Sequence, residues 1–460
     1  LVGIPLLIFL SKKIRKTDCI SLPDIMNKRY GKEVRILSSI LVSLTALLYV
    51  ALCYLSFGTI FAYVGQSIGI TEEIGSTIGC IVTIIYTSIG GYSAVVINDT
   101  IQFVVFMVVI VFLTPIFLSK QIGGFSKIVE FAAQNKISIF NPFQGFDIAL
   151  LSLMTLWAIV WLTDPMIYQR VLSGKNDKAT KKALLWYIPS EAIFGFALVV
   201  IALAGRMLMP KLPEIYGTAE AVLPAVVVNY LPPVVAGLGF VAIISVLMST
   251  IDSCLVVVST TIMECIIRPI MPKMEEKKAI KNLKWLTFVI GIVALIISYK
   301  MTGIWYAMVF ALSAYAPAML WPVVFSYTWE KATKEASLIT IITTFVFVSI
   351  INIFGINVFG FTPDVASLIV GIPLGLIIMV VTSLLTYRKK EVLNSETQKM
   401  EAFGAWHRPI YVESGRTRQP AGLKLKHRHL IGRDTCEVSF YFNFLLAAKP
   451  SKKMTRVFFS

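Results

Sequence analysis

The stretch Phe240-Val-Ala-Ile-Ile-Ser245-Val246-Leu-Met248-Ser249-Thr250-Ile-Asp252-Ser253 carries one ionisable side chain, Asp252. It sits inside a longer apolar run at about 233–267, where a bilayer crossing needs only about 20 residues. No period-two alternation runs through it. In hydrocarbon the backbone must satisfy its own hydrogen bonds, so such a segment is a membrane-spanning helix. Thr250 lies one helical turn beyond Val246, so its hydroxyl points back toward the Val246 carbonyl, and Ser249 adds a neighbouring hydroxyl. Uncharged oxygens of this kind suit a hard cation. The same spacing also serves Ser and Thr that bond back to a carbonyl four residues earlier or hold a neighbouring helix. Spacing alone leaves both readings open.

The rest of the chain repeats the apolar pattern. Hydrophobic residues make up 57% of its 460 residues, and mean hydropathy is +0.78. A soluble protein of this composition would expose far too much apolar surface. After an apolar stub at Leu1–Leu10, ten complete crossings are expected, at about 35–65, 75–96, 99–121, 147–170, 181–208, 233–267, 283–300, 303–329, 336–354 and 364–387. The stub is too short to span and lacks a basic flank, so it reads as the end of a helix and not as a signal peptide. The expected fold is all-α, a polytopic membrane protein whose membrane domain occupies residues 1–390.

Charge sets the topology. The net charge of +16 comes from basic clusters in alternate loops. Lys12, Lys13, Arg15 and Lys16 precede the first crossing, Lys175 to Lys182 follow the fourth, Lys273 to Lys284 follow the sixth, and Lys331 and Lys334 follow the eighth. Lys127 and Lys136 break the pattern. The balance places the basic loops in the cytoplasm of a multi-pass plasma-membrane protein, with the lipid bilayer, and not nucleic acid, as its charged surroundings. Residues 391–460 change character. Arg408, Arg416, Arg418, Lys424, Lys426, Arg428 and Arg433 appear there without any period. That segment reads as disordered or unrelated sequence, or alternatively as a basic arm on anionic lipid.

Chemistry-bearing residues are few. The three histidines, His407, His427 and His429, all lie in the tail. The cysteines form no CxxC pair, which excludes a disulfide framework or a cysteine metal site. There is no P-loop and no H-E-x-x-H. Ionisable groups inside a membrane cost about 2.5–3.5 kcal/mol at a helix centre and are functional candidates by default. Here they are Asp99, Asp164, Glu191 and Asp252. In the fourth crossing, Trp157 and Trp161 share a helix face ahead of Asp164-Pro165. The proline frees a carbonyl one turn earlier, and broken helices at the midplane are where transporters hold solute. A packing tryptophan pair beside a proline kink fits the same residues. Gly90-Gly91 marks a short cytoplasmic turn, after which Asp99 either caps the next helix or attracts a cation.

At these residues the chain resembles the sodium:solute symporter family. The stretch Ile89-Gly-Gly-Tyr-Ser-Ala-Val-Val-Ile-Asn-Asp-Thr-Ile-Gln102 is similar to the family's Gly-Gly, Ala, Asp, Gln signature, and Met248-Ser-Thr-Ile-Asp-Ser253 to its sodium-site helix. Trp157, Trp161, Pro165 and Arg170 are similar in spacing to the solute helix of the sodium/proline branch. Leu231-Pro-Pro-Val-Val-Ala-Gly237 and Leu320-Trp-Pro-Val323 look most like the sodium/pantothenate branch. The resemblance covers about residues 1–390. It implies a LeuT-type helical bundle of inverted repeats with broken first and sixth core helices. It makes Val246, Ser249 and Thr250 half of a sodium site, the other half coming from a first core helix that this chain, opening at the end of the second, does not include. It implies Asp99 and Asp252 on the cation pathway and Trp157, Trp161, Asp164 and Pro165 at the solute. The implied activity is no enzyme chemistry but sodium-coupled import of a small organic solute, pantothenate first and proline or another small carboxylate second. A channel would want a ring of polar residues or a filter loop, and a membrane enzyme a clustered nucleophile set; neither is present in the sequence.

Overall fold

The computed structural model describes residues 3–17, 19–137, 148–212, 214, 221–301, 303–358 and 360–387. The basic segment 391–460 lies outside them, as do parts of the loops at 138–147 and 215–220. Among the described residues the protein is all-α, with a single isolated bridge between Val358 and Phe361. Seven helical stretches there are long and apolar enough to cross a bilayer: Lys32–Val64, Ile97–Ile122, Asp177–Leu208, Pro233–Ile270, Lys277–Ser298, Lys334–Ile353 and Val365–Thr386.

The stub at the start belongs to α1 (Gly3–Lys16), and the first basic loop contains a short helix, α2 (Leu22–Tyr30), capped by the Ser21 hydroxyl. The long α3 (Lys32–Val64) follows, then α4 (Glu72–Phe106), a π-helical turn (Met107–Leu113) and α5 (Thr114–Ile122). After α6 (Phe125–Gln134) come α7 (Ile148–Thr163), α8 (Pro165–Ser173) and α9 (Asp177–Leu208). The short α10 (Val222–Tyr230) precedes α11 (Pro233–Ile262), and α12 (Glu276–Ser298), α13 (Ile304–Thr328), α14 (Lys334–Ile353) and α15 (Pro363–Thr386) complete the bundle.

One expectation is corrected. The turn foreseen near Gly90-Gly91 has helical backbone, since its residues fall within α4. The chain nevertheless reverses direction there. Thr77 near the start of α4 meets Tyr299 at the far end of α12, with 2.7 Å between hydroxyls, and α5 packs against α10 on the same outer side. A straight helix would separate Thr87 from Asp99 by about 18 Å, yet Thr87 bonds Asp252 and Asp99 pairs with Arg170, which also holds Ser253. The reversal is therefore a sharp bend in the stretch of α4 between Thr87 and Asp99, where the sequence places two glycines and two serines. Asp99 lies within the helix and does not cap one.

Helices α3, α4, α11 and α12 pack together, while α13, α14 and α15 form a second group that reaches α3 and α7. Small residues let α3 and α4 approach closely. A Cβ at Gly58 would stand 2.5 Å from the Glu72 carbonyl oxygen and from Ser76 Oγ. At the cytoplasmic side two arginines knit the loops. Buried Arg15 of α1 pairs with Asp177 at 2.8 Å and donates to the Val171 and Gly174 carbonyls. Arg29 of α2 donates to the carbonyls of Trp329, Glu330 and Ala332 beyond α13.

The close approach at Gly58 is testable. Gly58→Ala is expected to lower the melting temperature in detergent, because backbone cannot yield to the new methyl. Gly195→Ala, where an added Cβ meets nothing within 4 Å, is expected to hold or raise it, by about 0.4–1 kcal/mol from lost unfolded-state freedom. Equal behaviour of the two variants would refute the packing account.

Candidate functional site

Helix α7 stops at Thr163. The Asp164 N–H still reaches the Val160 carbonyl at 2.8 Å, but Pro165 brings no N–H, so the ladder cannot continue. Asp164 turns out of helical geometry, at φ −65 and ψ 117, and its Oδ1 accepts from the N–H groups of Met166 at 2.7 Å and Ile167 at 3.4 Å. The carboxylate thus caps α8. The Thr163 carbonyl at the end of α7 accepts from the Tyr315 hydroxyl at 2.8 Å. The broken helix expected from Asp164-Pro165 is present, and its loose backbone groups are tied to α13.

A cavity of about 20 Å³, room for roughly one water, lies beside the break. Asp164, Pro165 and Met166 form one wall; Thr45 and Tyr49 of α3 face them; Cys254 of α11 and Tyr315 of α13 close it. Among the sequence candidates, Asp164 and Pro165 line this space and the tryptophans do not. Trp161 packs edge-on against Tyr187 of α9, with ring centroids 4.8 Å apart, and Trp157 is 39% exposed.

The hydroxyl-bearing segment of α11 lies nearby. Thr250 Oγ1 donates to the Val246 carbonyl at 3.1 Å, as the spacing predicts. Ser249 stands beside Asp99 of α4. Arg170 of α8 reaches the same carboxylate at 3.3 Å and Ser253 Oγ at 3.1 Å. Asp252 is fully buried and accepts from Thr87 of α4, with Tyr86 beside it. The structure thus gathers Ser249, Asp99 and Arg170 into one cluster and sets Asp252 a turn further along α11, against the other limb of the bend. No group of three or more His, Cys, Asp or Glu side chains able to hold a metal occurs among the described residues. Hydroxyls, carbonyls and single carboxylates are the oxygens on offer, a set that suits a weakly held monovalent cation better than a tightly held transition metal.

Sequence reasoning missed Tyr49, Tyr315 and Cys254 at the cavity, and Arg170 as the partner of Asp99. Tyrosines in the middle of apolar crossings were the available signal, because a buried phenol needs a hydrogen-bond partner.

The family model described as "Sodium:solute symporter family" matches residues 1–344. The chain belongs to this family. It is therefore one of a family of transporters, and with its membrane-length helices a multi-pass plasma-membrane protein. Among curated proteins, the sodium/pantothenate symporter of Escherichia coli (strain K12) is 27% identical over 78% of this chain and 74% of its own length. The sodium/proline symporter of Salmonella typhimurium is 26% identical over 70% of this chain and 65% of its own. Among solved structures, a Na+-coupled sialic acid symporter in a substrate-bound outward-open state superposes with a TM-score of 0.70 at 20% identity, covering 84% of this chain and 82% of that one. That likeness assigns the LeuT-type fold expected from the sequence.

Tyr315→Phe keeps the ring and removes only the donor to the Thr163 carbonyl. It is expected to destabilise the protein by about 1–3 kcal/mol, the cost of a buried acceptor left unpaired, read as a lower melting temperature in detergent. An unchanged melting temperature would show that the break is held by other contacts.

Proposed function

We propose that the protein imports a small organic solute together with sodium by alternating access, with the solute at the break between α7 and α8 and the ion on α11. The observation that carries this reading is the juxtaposition of a helix break, bordered by a cavity, with a hydroxyl-bearing helix whose Ser249 stands beside Asp99. Val246 through its carbonyl, Ser249 and Thr250 supply neutral oxygens to the ion. Asp99 and Asp252 stand on the cation's route to the cytoplasm. Pro165 opens the helix, Asp164 borders the solute, and Trp161 and Trp157 stand one and two turns outward along α7, where an incoming solute passes. The relatives are named for pantothenate and proline, so a small carboxylate-bearing solute of that size is the substrate class, pantothenate first and proline second.

The energetics suffice. One elementary charge moving down a potential of 100 mV releases about 2.3 kcal/mol, enough for roughly fifty-fold accumulation of a neutral solute. Sodium can shift the equilibrium toward the outward-open form only by binding that form more tightly. Bound before the solute, it lowers the cost of reaching the solute-competent state.

Vesicles carrying the protein are expected to accumulate labelled pantothenate or L-proline against a gradient when sodium is supplied outside. Uptake that only equilibrates would identify a channel, and sodium-independent uptake of both would remove the coupling. Thr250→Ala is expected to raise the sodium concentration for half-maximal uptake about tenfold, the equivalent of one lost oxygen contact of about 1.4 kcal/mol. Solute affinity at saturating sodium should hardly move; unchanged sodium activation would count against the α11 site.

A further inference from the structure

Helix α12 has two opposite faces. Ala279, Thr287, Ile290 and Ala294 are buried in the bundle, and Gly291 lets Ile84 and Cys80 of α4 come close. On the other face Lys277, Lys281, Lys284, Phe288 and Ile292 are all exposed. They recur at three- and four-residue intervals, the spacing of a single stripe along a helix. Trp285 flanks it.

From the cytoplasmic end inward, this stripe passes from ammonium groups to rings to an aliphatic side chain. Trp285 is 59% exposed and Phe288 45% exposed, and their rings meet edge-on with centroids 5.9 Å apart. Half a bilayer presents its groups in the same order: charged headgroup, interface, hydrocarbon. The lysines span about 10 Å of helix, and their flexible stems let the ammonium groups gather at one level.

The other cations on this side are engaged within the protein. Arg15 holds Asp177, Arg35 holds Asp24, Lys334 holds Glu33, and Arg29 holds three carbonyls. Lys277, Lys281 and Lys284 form no ion pair among the described residues. Glu275 and Glu276 open the helix, but the helical period sets those positions about 100° or more from the centre of the stripe. Like charges at these spacings repel, and an anion lying among them relieves the repulsion. The rings and Ile292 directly below call for hydrocarbon. One molecule that meets both demands is an anionic phospholipid.

We propose that the cytoplasmic end of α12 is a binding site for an anionic phospholipid of the inner leaflet. Its phosphate sits among Lys277, Lys281 and Lys284, and its chains lie along Trp285, Phe288 and Ile292. The site is separate from the solute and the ion, and it stands independently of the symport reading.

The test follows the melting temperature of the whole chain in neutral detergent as phosphatidylglycerol, phosphatidylcholine or soluble glycerol 3-phosphate is added. Phosphatidylglycerol should raise it at concentrations where the other two do not. Changing Lys277, Lys281 and Lys284 together to Gln should raise the phosphatidylglycerol needed for half the effect tenfold or more, since a lysine near anionic lipid contributes about fivefold. Changing the same three to Arg should preserve the response. A control triple of Lys12→Gln, Lys178→Gln and Lys331→Gln removes equal charge from exposed positions on other elements and should leave the response in place. Equal loss in the two Gln triples would mean a diffuse field and would overturn the site. Phosphatidylcholine as effective as phosphatidylglycerol would overturn it too. So would a matching effect of glycerol 3-phosphate, which would assign the lysines to a free anion.

Discussion

The hydrogen bond from Tyr315 to the Thr163 carbonyl, together with the Asp164 cap on α8, is what allows a helix to stop in the middle of a bilayer. Backbone groups left unpaired at that depth cost several kcal/mol each, and no solvent is at hand to take them. Pro165 makes the interruption obligatory, because it removes a donor and clashes with the preceding turn. The partners that repair the damage then fix the geometry around it. Tyr315 ties the end of α7 to α13, and the packing of α13 against α3 brings Tyr49 opposite the break. The cavity follows from satisfying the backbone.

The same helix carries the second constraint. Arg170, on α8 beyond the cap, bridges Asp99 of α4 and Ser253 of α11. Ser249 also stands beside Asp99. Under the symport proposed above, a cation taking oxygens from Ser249 and Asp99 would compete with Arg170 for one carboxylate. On that proposal solute and ion would both act on one segment of nine residues. Coupling of this kind needs only a shared partner with two arrangements.

Much of this was legible in the sequence because the membrane enforces simple rules. Length and apolarity located the long helices, and Asp164-Pro165 located the break, since both depend on local backbone chemistry alone. The bend after Gly90-Gly91 was legible as a reversal but not as a helix. Glycine costs about 1 kcal/mol in a helix interior, and that local penalty does not show whether tertiary contacts such as Thr87 with Asp252 outweigh it. Tyr49 and Tyr315 were legible only as phenols in need of a partner, not as neighbours of Asp164. They lie more than a hundred residues from Asp164 on either side, and only the packing of α3 and α13 brings them to it. Trp157 and Trp161 were placed on one face correctly, but a helix has several faces, and periodicity does not say which of them looks into the cavity.

The bond from Thr250 to Val246 is the remaining piece of the argument. A helical carbonyl has a second lone pair beyond the one used by its own ladder, and a site for a transported ion must be stable at every stage of the cycle. Thr250 Oγ1 reaches the Val246 oxygen at 3.1 Å within its own helix, so that oxygen is never stranded. Opening such a bond costs about 1 kcal/mol, less than the 2.3 kcal/mol or so that a charge gains in crossing 100 mV. Under the proposed symport, an oxygen set that closes on itself this cheaply would release its ion as readily as it takes it. A ring of carboxylates would bind more tightly and turn over more slowly. Acids are scarce on α11 and the turns after it, Asp252 and Glu264 being the two carboxylates between Pro233 and Ile270, and on that proposal the scarcity suits a carrier whose cargo has to leave.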